Sequence, residues 1–426
     1  MPVGRPAPDL VAHVGRVLGA QDRPGGTGLI GIAVSGGGDS IALMHLAARV
    51  IDRARLRIVS VNHGLRAEAA DEIALVAEQA TRLGLPHEVL HWTWDGQGNL
   101  QAAARDGRWK AIRRWSDASG VDTILLGHTE DDQLETLLMR LARGSGIDGL
   151  TGMARADWRD GLRVMRPLLD VPREVLRHWL RQQKIPWCDD PSNDDPRFDR
   201  VRARQMFAQL ESLGLSRKRL LQTADHMQAA HLSLQRAAQD FARVHVRQDT
   251  GDLVFDKQAL ALDKEDAPRR VMAAALAWVG GSTYKPRFDN MLDAVTQAVK
   301  GRTVTLGGCI LSAERGGGAR LTREPAATRT ASRDPCQIDG ATGMLWDRRW
   351  FLEGPMAPRL TVRALEDGLR QCPTWRDIGL PRKSLLASPA IWQGEQLLAA
   401  PVAGLGNGWS ARIVADFHSA AFAIED

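Results

Sequence analysis

A chain of 426 residues is longer than one compact core organises and points to two to four domains. Its 44% hydrophobic and 25% charged content is that of a globular protein, and no apolar run approaches the roughly 18 residues of a membrane span. The net charge of +5 permits a polyanionic partner without demanding one, and Cys188, Cys309, Cys336 and Cys372, far apart in sequence and with no CxxC pair, argue against a disulfide framework or structural zinc and fit a reducing cytosol.

From the N-terminus, charges interrupt every apolar stretch, so no secretory leader is expected. GLIGIAVS (28–35) then reads as a buried strand and DSIALMHLAARVIDRA (39–54) as an amphipathic helix. LRIVSVNHG (56–64) is a second strand, followed by the helix EAADEIALVAEQATRLG (68–84). HEVLHWTW (87–94) is a third strand, residues 99–120 are helical, DTILLGHT (122–129) is a fourth strand and EDDQLETLLMRLARG (130–144) a further helix. Such alternation predicts a doubly wound α/β domain, with a parallel sheet covered on both faces and ligands at the carboxyl ends of its strands. The glycines of 35–40, Asn62-His63 and Gly127-His128 all fall at such ends. From about Val201 the pattern becomes nearly continuous helix through Val246, resumes from Pro268 to Val299, and gives way to a hairpin-like stretch at 302–324. A polar segment, 324–335, precedes a β-rich tail containing GMLWDRRWFLEG, RLTVRAL and ARIVADF.

The loop at 35–40, Ser-Gly-Gly-Gly-Asp-Ser, joins a strand to a helix. Backbone N–H groups unencumbered at Gly36, Gly37 and Gly38 can turn toward an anion, and the helix N-terminus adds its positive end. Ser35 and Ser40 can donate hydroxyl hydrogen bonds, while Asp39 can cap the helix or hold Mg²⁺. No lysine follows, so this is not the common phosphate loop. A tight turn with a capping aspartate is the plainer alternative. Arginines crowd residues 155–219, as a solvated helix face or as a contact to nucleic acid.

SGGGDS after a strand resembles the loop of N-type ATP pyrophosphatases, which cleave ATP to AMP and pyrophosphate. VNHGLR (61–66), NLQAAARDGRW (99–109), GHTEDDQLETLLMRLARGSGIDGLTGM (127–153), RPLLDVPREVLRHWL (166–180) and WCDDPSNDD (187–195) narrow the resemblance to the tRNA(Ile)-lysidine synthetase family. Weaker similarity extends to the tail at 376–401. The resemblance implies an adenine nucleotide alpha hydrolase-like domain at 1–205, a mostly helical tRNA-binding domain at 206–325 and a small α+β or β-rich tRNA-binding domain at 336–426. It implies a cytoplasmic ligase using ATP and Mg²⁺, with no membrane role. ATP adenylates the C2 oxygen of the wobble cytidine in tRNA(Ile) with a CAU anticodon, and the ε-amine of free L-lysine then displaces AMP. Dimers occur among such relatives, which allows a homodimer here.

Against that chemistry, Ser35, Gly36, Gly37, Gly38, Asp39, Ser40 and His63 are expected to bind the nucleotide, with Asp39 also on the metal. Asp132 is expected to orient the lysine amine or Mg²⁺, with Asp131 and Glu135 beside it on the same helix, although helix-end carboxylates also arise for capping alone. His128 is a candidate proton acceptor, and a structural histidine is the alternative. The family usually carries a second histidine where Thr129 stands. Arg105 and Arg108, three apart on one helix face, suit phosphate or a carboxylate. Arg200, Arg202 and Arg204 are read as contacts to tRNA phosphate, in a region where Val201 and Ala203 replace the family's Asn and Ile. Trp187 is either a base-stacking platform or buried core, and Cys188 is not proposed as a nucleophile. A tRNA thiolase is the rival enzyme, but sulfur delivery generally needs loop cysteines and residues 29–180 contain none. A non-catalytic RNA-binding protein would need neither the glycine loop nor the acidic helix.

Overall fold

Short apolar runs bounded by turn residues become the central strands of the first unit. A computed structural model describes residues 9–21, 28–62, 64, 69–94, 96, 100–189, 199–281, 286–314, 316–329, 343–355, 357 and 359–422. The chain divides into one unit up to residue 231 and another from residue 232. In the first, β1 (Leu29–Ala33), β2 (Leu56–Asn62), β3 (His87–His91), β4 (Val121–Leu126) and β6 (Leu162–Met165) pair in parallel. Strand β5 (Ala156–Arg159) lies antiparallel on β6, giving the order β3-β2-β1-β4-β6-β5. All four expected strands form, and the hairpin β5–β6 extends the sheet beyond them.

Helices cover both faces, as strands apolar on both sides require. On one face α1 (Leu10–Gln21), α2 (Gly38–Val50), α3 (Ala69–Leu83) and α7 (Arg173–Gln182) bury Val14, Ile41, Val76 and Leu176 against Ile32 and Ile58. On the other, α4 (Leu100–Ser119) lays Trp109, Ile112 and Trp115 over Val59, Ile124 and Val164. Helix α5 (Glu130–Ala142) leaves β4 and packs Leu134 and Leu137 on Leu220 and Ala224 of α9 (Arg217–His245). Leu150 of α6 (Ile147–Leu150) and Phe207 of α8 (Asp199–Ser212) close that cluster. The expected boundary at residue 205 therefore falls within α8.

The second unit holds α10 (Asp266–Gly280) and α11 (Phe288–Val299), as the helical periodicity expected. It holds more sheet than the sequence suggested. The stretch 302–324 is three strands, β9 (Val304–Leu306), β10 (Cys309–Ala313) and β11 (Ala319–Arg323). They join β7 (Val246–Asp249) and β8 (Asp252–Phe255) in the antiparallel order β7-β8-β11-β10-β9. Val271, Leu276, Met291 and Val295 pack on this sheet through Leu253, Leu311 and Leu321. The tail forms two three-stranded antiparallel sheets. One is β12 (Gly343–Trp346), β13 (Trp350–Glu353) and β17 (Ser410–Ile413), and the other is β14 (Leu360–Ala364), β15 (Pro389–Gln393) and β16 (Gln396–Ala399). Buried ion pairs hold the unit: Arg320 reaches Asp249, Asp252 and Glu314 at 2.7–3.0 Å, and Arg323 meets Asp347 at 2.9 Å. No helix among the described residues is long and apolar enough to cross a membrane.

Candidate active site

The strand order reverses between β1 and β4, and the loops leaving these two strands meet at the carboxyl edge of the sheet. After β1, Gly36 takes φ +91°, a conformation open to glycine but strained for other residues, and Gly37 sits just before the first residue of α2. The Ser40 hydroxyl donates to the Gly37 carbonyl at 2.9 Å and accepts from the Ser35 N–H at 3.2 Å, which fixes the turn from within. After β4, Gly127 approaches so closely that a Cβ there would lie 3.0 Å from both the N and the Cα of Ser40. These two loops are in backbone contact.

A third segment completes the loop's surroundings. The Cys188 N–H donates to the Gly36 carbonyl at 3.0 Å, and the Trp187 ring lies against Gly38. Trp187 thus packs on the loop and donates to Asp189 at 3.2 Å. The fold also brings Cys188 to the glycines, a juxtaposition its place in the sequence does not reveal. Burial, together with Glu72, Asp71 and Asp189, pushes its thiol upward, the opposite of activation.

The carboxylates converge on one cation. Arg173, first residue of α7, donates from Nε to Asp39 Oδ2 at 2.7 Å and from Nη2 to Asp132 Oδ1 at 3.2 Å. Its Nη1 stands 3.9 Å from Glu135 Oε1, and its backbone N–H donates to Asp131 Oδ2 at 2.8 Å. The other oxygen of Asp132 accepts from both the N–H and the hydroxyl of Thr129, each at 2.8 Å. Thr129 is fully buried, so where the family usually has histidine this chain has a fixed prop for Asp132. Glu135, only 4% exposed, is held by Arg204 at 2.8 Å, and Asp131 by Arg217 at 2.9 Å. Burial outweighs Arg173 in raising the Asp39 carboxyl, and burial likewise raises Glu135. Burial would raise Asp131 too, but the Arg173 N–H and Arg217 hold it below its ordinary value.

Two buried carboxylate oxygens, Asp39 Oδ1 and Glu135 Oε2, have no hydrogen-bond partner among the described residues. Either oxygen can accept from a cation or a donor. The described residues contain no cluster of three or more His, Cys, Asp or Glu side chains able to hold a metal unaided. A single carboxylate oxygen beside an anion cradle fits Mg²⁺, which commonly takes one or two carboxylates and completes its octahedron with phosphate and water.

His128 stands between fields of opposite sign. Burial drives its imidazole down to about 4, against the pull of Asp132 and with a further push from Arg166, Arg200 and Arg105. Its buried Nδ1 has no partner among the described residues. Arg105 and Arg108 both lie on α4 and open to solvent. Desolvation, then neighbouring guanidinium groups that include Arg200 and Arg159, lowers both from their ordinary value.

The three arginines of α8 have different partners, and Arg202, two residues from each of the others, lies off the face they share. Arg200 is exposed near Arg105, Arg202 pairs with Asp199, and Arg204 turns to Glu135. Val201 and Ala203 are buried, so a polar contact at either position is excluded by packing. His63 lies outside the described residues.

Arg173 is the site residue that motif reading passed over. A cation in the first turn of a helix opposes the helix dipole, and that anomaly after Pro172 was its signal.

A glycine-rich loop beside converging carboxylates, at the switch point of a parallel sheet, is the arrangement of the PP-loop class. Consistently, the PP-loop domain family model matches residues 15–211. The tRNA(Ile)-lysidine synthase of Ruegeria pomeroyi is 42% identical over 415 residues, covering 96% of this chain and 95% of that protein. The tRNA(Ile)-lysidine synthase of Bradyrhizobium diazoefficiens is 39% identical over 331 residues, covering 71% and 91%. Among solved structures, the U34-tRNA thiolase NcsA from Methanococcus maripaludis is 16% identical, at a TM-score of 0.42 over 51% of this chain and 79% of its own. The chain belongs to the tRNA(Ile)-lysidine synthase family.

Proposed function

We propose that this protein converts the wobble cytidine of tRNA(Ile) with a CAU anticodon to lysidine, using ATP and free L-lysine. One observation carries the reading. The glycine cradle at 35–40 and the acidic end of α5 meet through the Gly127 contact, so a phosphate site and an ammonium site share one edge of the sheet.

The N–H groups of the loop and the Ser35 and Ser40 hydroxyls suit the β- and γ-phosphates. Asp39, through its unpartnered Oδ1, suits Mg²⁺, which when bound neutralises charge on the departing pyrophosphate. Attack of the cytosine C2 oxygen on the α-phosphorus breaks the α–β phosphoanhydride bond and makes C2 electrophilic. The lysine ε-ammonium is attracted to Asp132 and to the open oxygen of Glu135, and it must lose a proton before attacking C2 and displacing AMP. His128, neutral at physiological pH with a free ring nitrogen, is the acceptor we assign. Arg105 and Arg108 suit the AMP or tRNA phosphate, and Arg200 a phosphate of the anticodon arm, with Arg202 beside it and Arg204 holding Glu135. His63, at the end of β2, is assigned to the nucleotide by family resemblance alone.

The proposal places chemistry in residues 1–205 and grip on tRNA in 206–325 and 336–426. It places the reaction in the cytoplasm and allows a homodimer. Incorporation of labelled lysine into the cognate transcript, dependent on ATP, tests it. Pyrophosphate release with sulfur rather than lysine transferred would overturn it in favour of a thiolase, and tRNA binding without pyrophosphate release would leave a binding protein.

A further inference from the structure

We propose that the β5–β6 hairpin is an RNA-contacting element, with Arg159 taking a backbone phosphate of the bound tRNA at a point the nucleotide does not reach. The inference rests on the tRNA reading given above. Pairing sets the direction of Arg159: it stands across the hairpin from Leu162, and cross-strand partners share a face. Leu162 is buried in the cluster that holds Trp109, so Arg159 faces α4. Its guanidinium lies over the Trp109 ring, 4.5 Å from the centroid, a contact that uses none of its N–H donors. Among the described residues that guanidinium makes no hydrogen bond, and Asp106, at 3.9 Å, is beyond hydrogen-bond reach.

The hairpin is fastened at both ends. At its turn, Trp109 Nε1 donates to Asp160 Oδ2 and Arg113 Nε to the Asp160 carbonyl, each at 2.8 Å. At its open end, Arg166 Nη1 donates to the Ala154 carbonyl at 2.8 Å and to Asp157 Oδ2 at 3.0 Å. A fixed element thus carries Arg159 toward Arg105 and Arg108, which it repels, and Arg200 adds to that repulsion. Like charges held together in this way gain most from an anion. The position favours RNA over the nucleotide. Arg159 stands opposite the first residue of β6, at the amino edge of the parallel sheet, whereas the glycine loop leaves β1 at the carboxyl edge. Strand β5 is also three strand spacings from β1, or roughly 14 Å. A nucleotide with its phosphates at the loop has none left to place there, and an RNA backbone has many.

The test is filter binding of the tRNA(Ile) transcript to the full chain across a salt series, for wild type, Arg159→Gln, Arg159→Lys and the control Arg82→Gln, on the exposed face of α3. Arg159→Gln is expected to flatten the log–log salt slope by about 0.7–0.9, as one released counterion fewer requires. Arg159→Lys, which keeps the charge, and Arg82→Gln are expected to keep the wild-type slope. ATP affinity of Arg159→Gln, measured by equilibrium dialysis, should stay within about twofold of wild type, because a contact to RNA backbone leaves the nucleotide alone. A wild-type slope in Arg159→Gln overturns the proposal, as does an equal loss of slope in Arg159→Lys or in Arg82→Gln. Weakened ATP binding with an unchanged tRNA slope also overturns it, since the phosphate held would then be the nucleotide's. None of these readouts requires turnover, so a protein that bound the transcript through Arg159 but made no lysidine would lose the function and keep this inference.

Discussion

Gly127→Ala is the sharpest probe of the site, because it adds a methyl group at a point of backbone contact. Gly127 is not among the positive-φ residues, so the backbone itself tolerates alanine and the effect isolates the contact. The new Cβ would stand 3.0 Å from Ser40 N and Cα and 3.1 Å from the carbonyl carbon of Asp39. Carbon atoms rest at about 3.5–4.0 Å, so the two loops must separate by roughly 0.5 Å. Overpacking of this kind costs about 1–3 kcal/mol of stability. The larger consequence is local. The segment displaced is the backbone proposed to cradle the phosphates, and displacements approaching 1 Å can cost about a hundredfold in rate. Initial rates of pyrophosphate release, with ATP varied at saturating lysine and transcript, should show kcat/KM for ATP reduced by about 10- to 100-fold. Gly19→Ala in α1, where a Cβ meets nothing within 4 Å, serves as the control and should leave the rate unchanged. If Gly127→Ala lost stability but kept wild-type kcat and KM for ATP, the two loops would not form one site.

Asp39→Ala and Asp132→Ala should each abolish lysidine formation while filter binding of tRNA persists; loss of tRNA binding in both would contradict their roles. Arg200→Ala should flatten the salt dependence of tRNA affinity by about 0.7–0.9 in the log–log slope, as one released counterion fewer requires. Arg204→Ala should leave that slope alone and slow turnover, because its guanidinium serves Glu135; the reverse pattern would refute the assignment. His128 should titrate near 4 in the nucleotide-free protein by NMR, and binding a triphosphate should raise that value, since a nearby anion favours the imidazolium. The unfolded chain, with a histidine near 6.5, takes up the proton first. Stability therefore falls as pH drops from 6.5 to about 4 and levels below, by on the order of 3 kcal/mol, and His128→Gln should lose this acid limb.

The first unit was legible because its signals are local. Strand–helix alternation located β1 to β4 and α2 to α5, whereas helix α1 and the β5–β6 hairpin, whose Asp160-Gly161 turn takes positive φ at both residues, were not read from it. The five-stranded sheet was less legible, since β7 follows directly on His245 of α9 and its four residues carry no alternation that would separate them from the helix. At the site, motif spacing found the ends of β1 and β4 and the acids of α5. It did not find Arg173, bonded to residues 41, 42 and 134 positions away, or Cys188, bonded to Gly36 of the first loop.

The charges around His128 divide by sign, and the division suits a reaction that joins a cation to a polyanion. On one side Asp39, Asp131, Asp132 and Glu135 are matched by Arg173, Arg204 and Arg217, each guanidinium within 4 Å of a carboxylate. On the other, Arg105, Arg108, Arg159 and Arg200 repel one another, and among the described residues Arg159 stands 3.9 Å from Asp106. An acidic wall whose arginines are already engaged gains most from one further cation, whereas a basic wall in mutual repulsion gains most from an anion. His128 feels both, Asp132 favouring its proton and Arg166, Arg200 and Arg105 opposing it. Filling the basic side with phosphate would remove that opposition and leave burial alone working against Asp132. The imidazole would then become a stronger base at the stage when the lysine ammonium has to lose its proton, so tRNA and nucleotide binding would themselves prepare the acceptor.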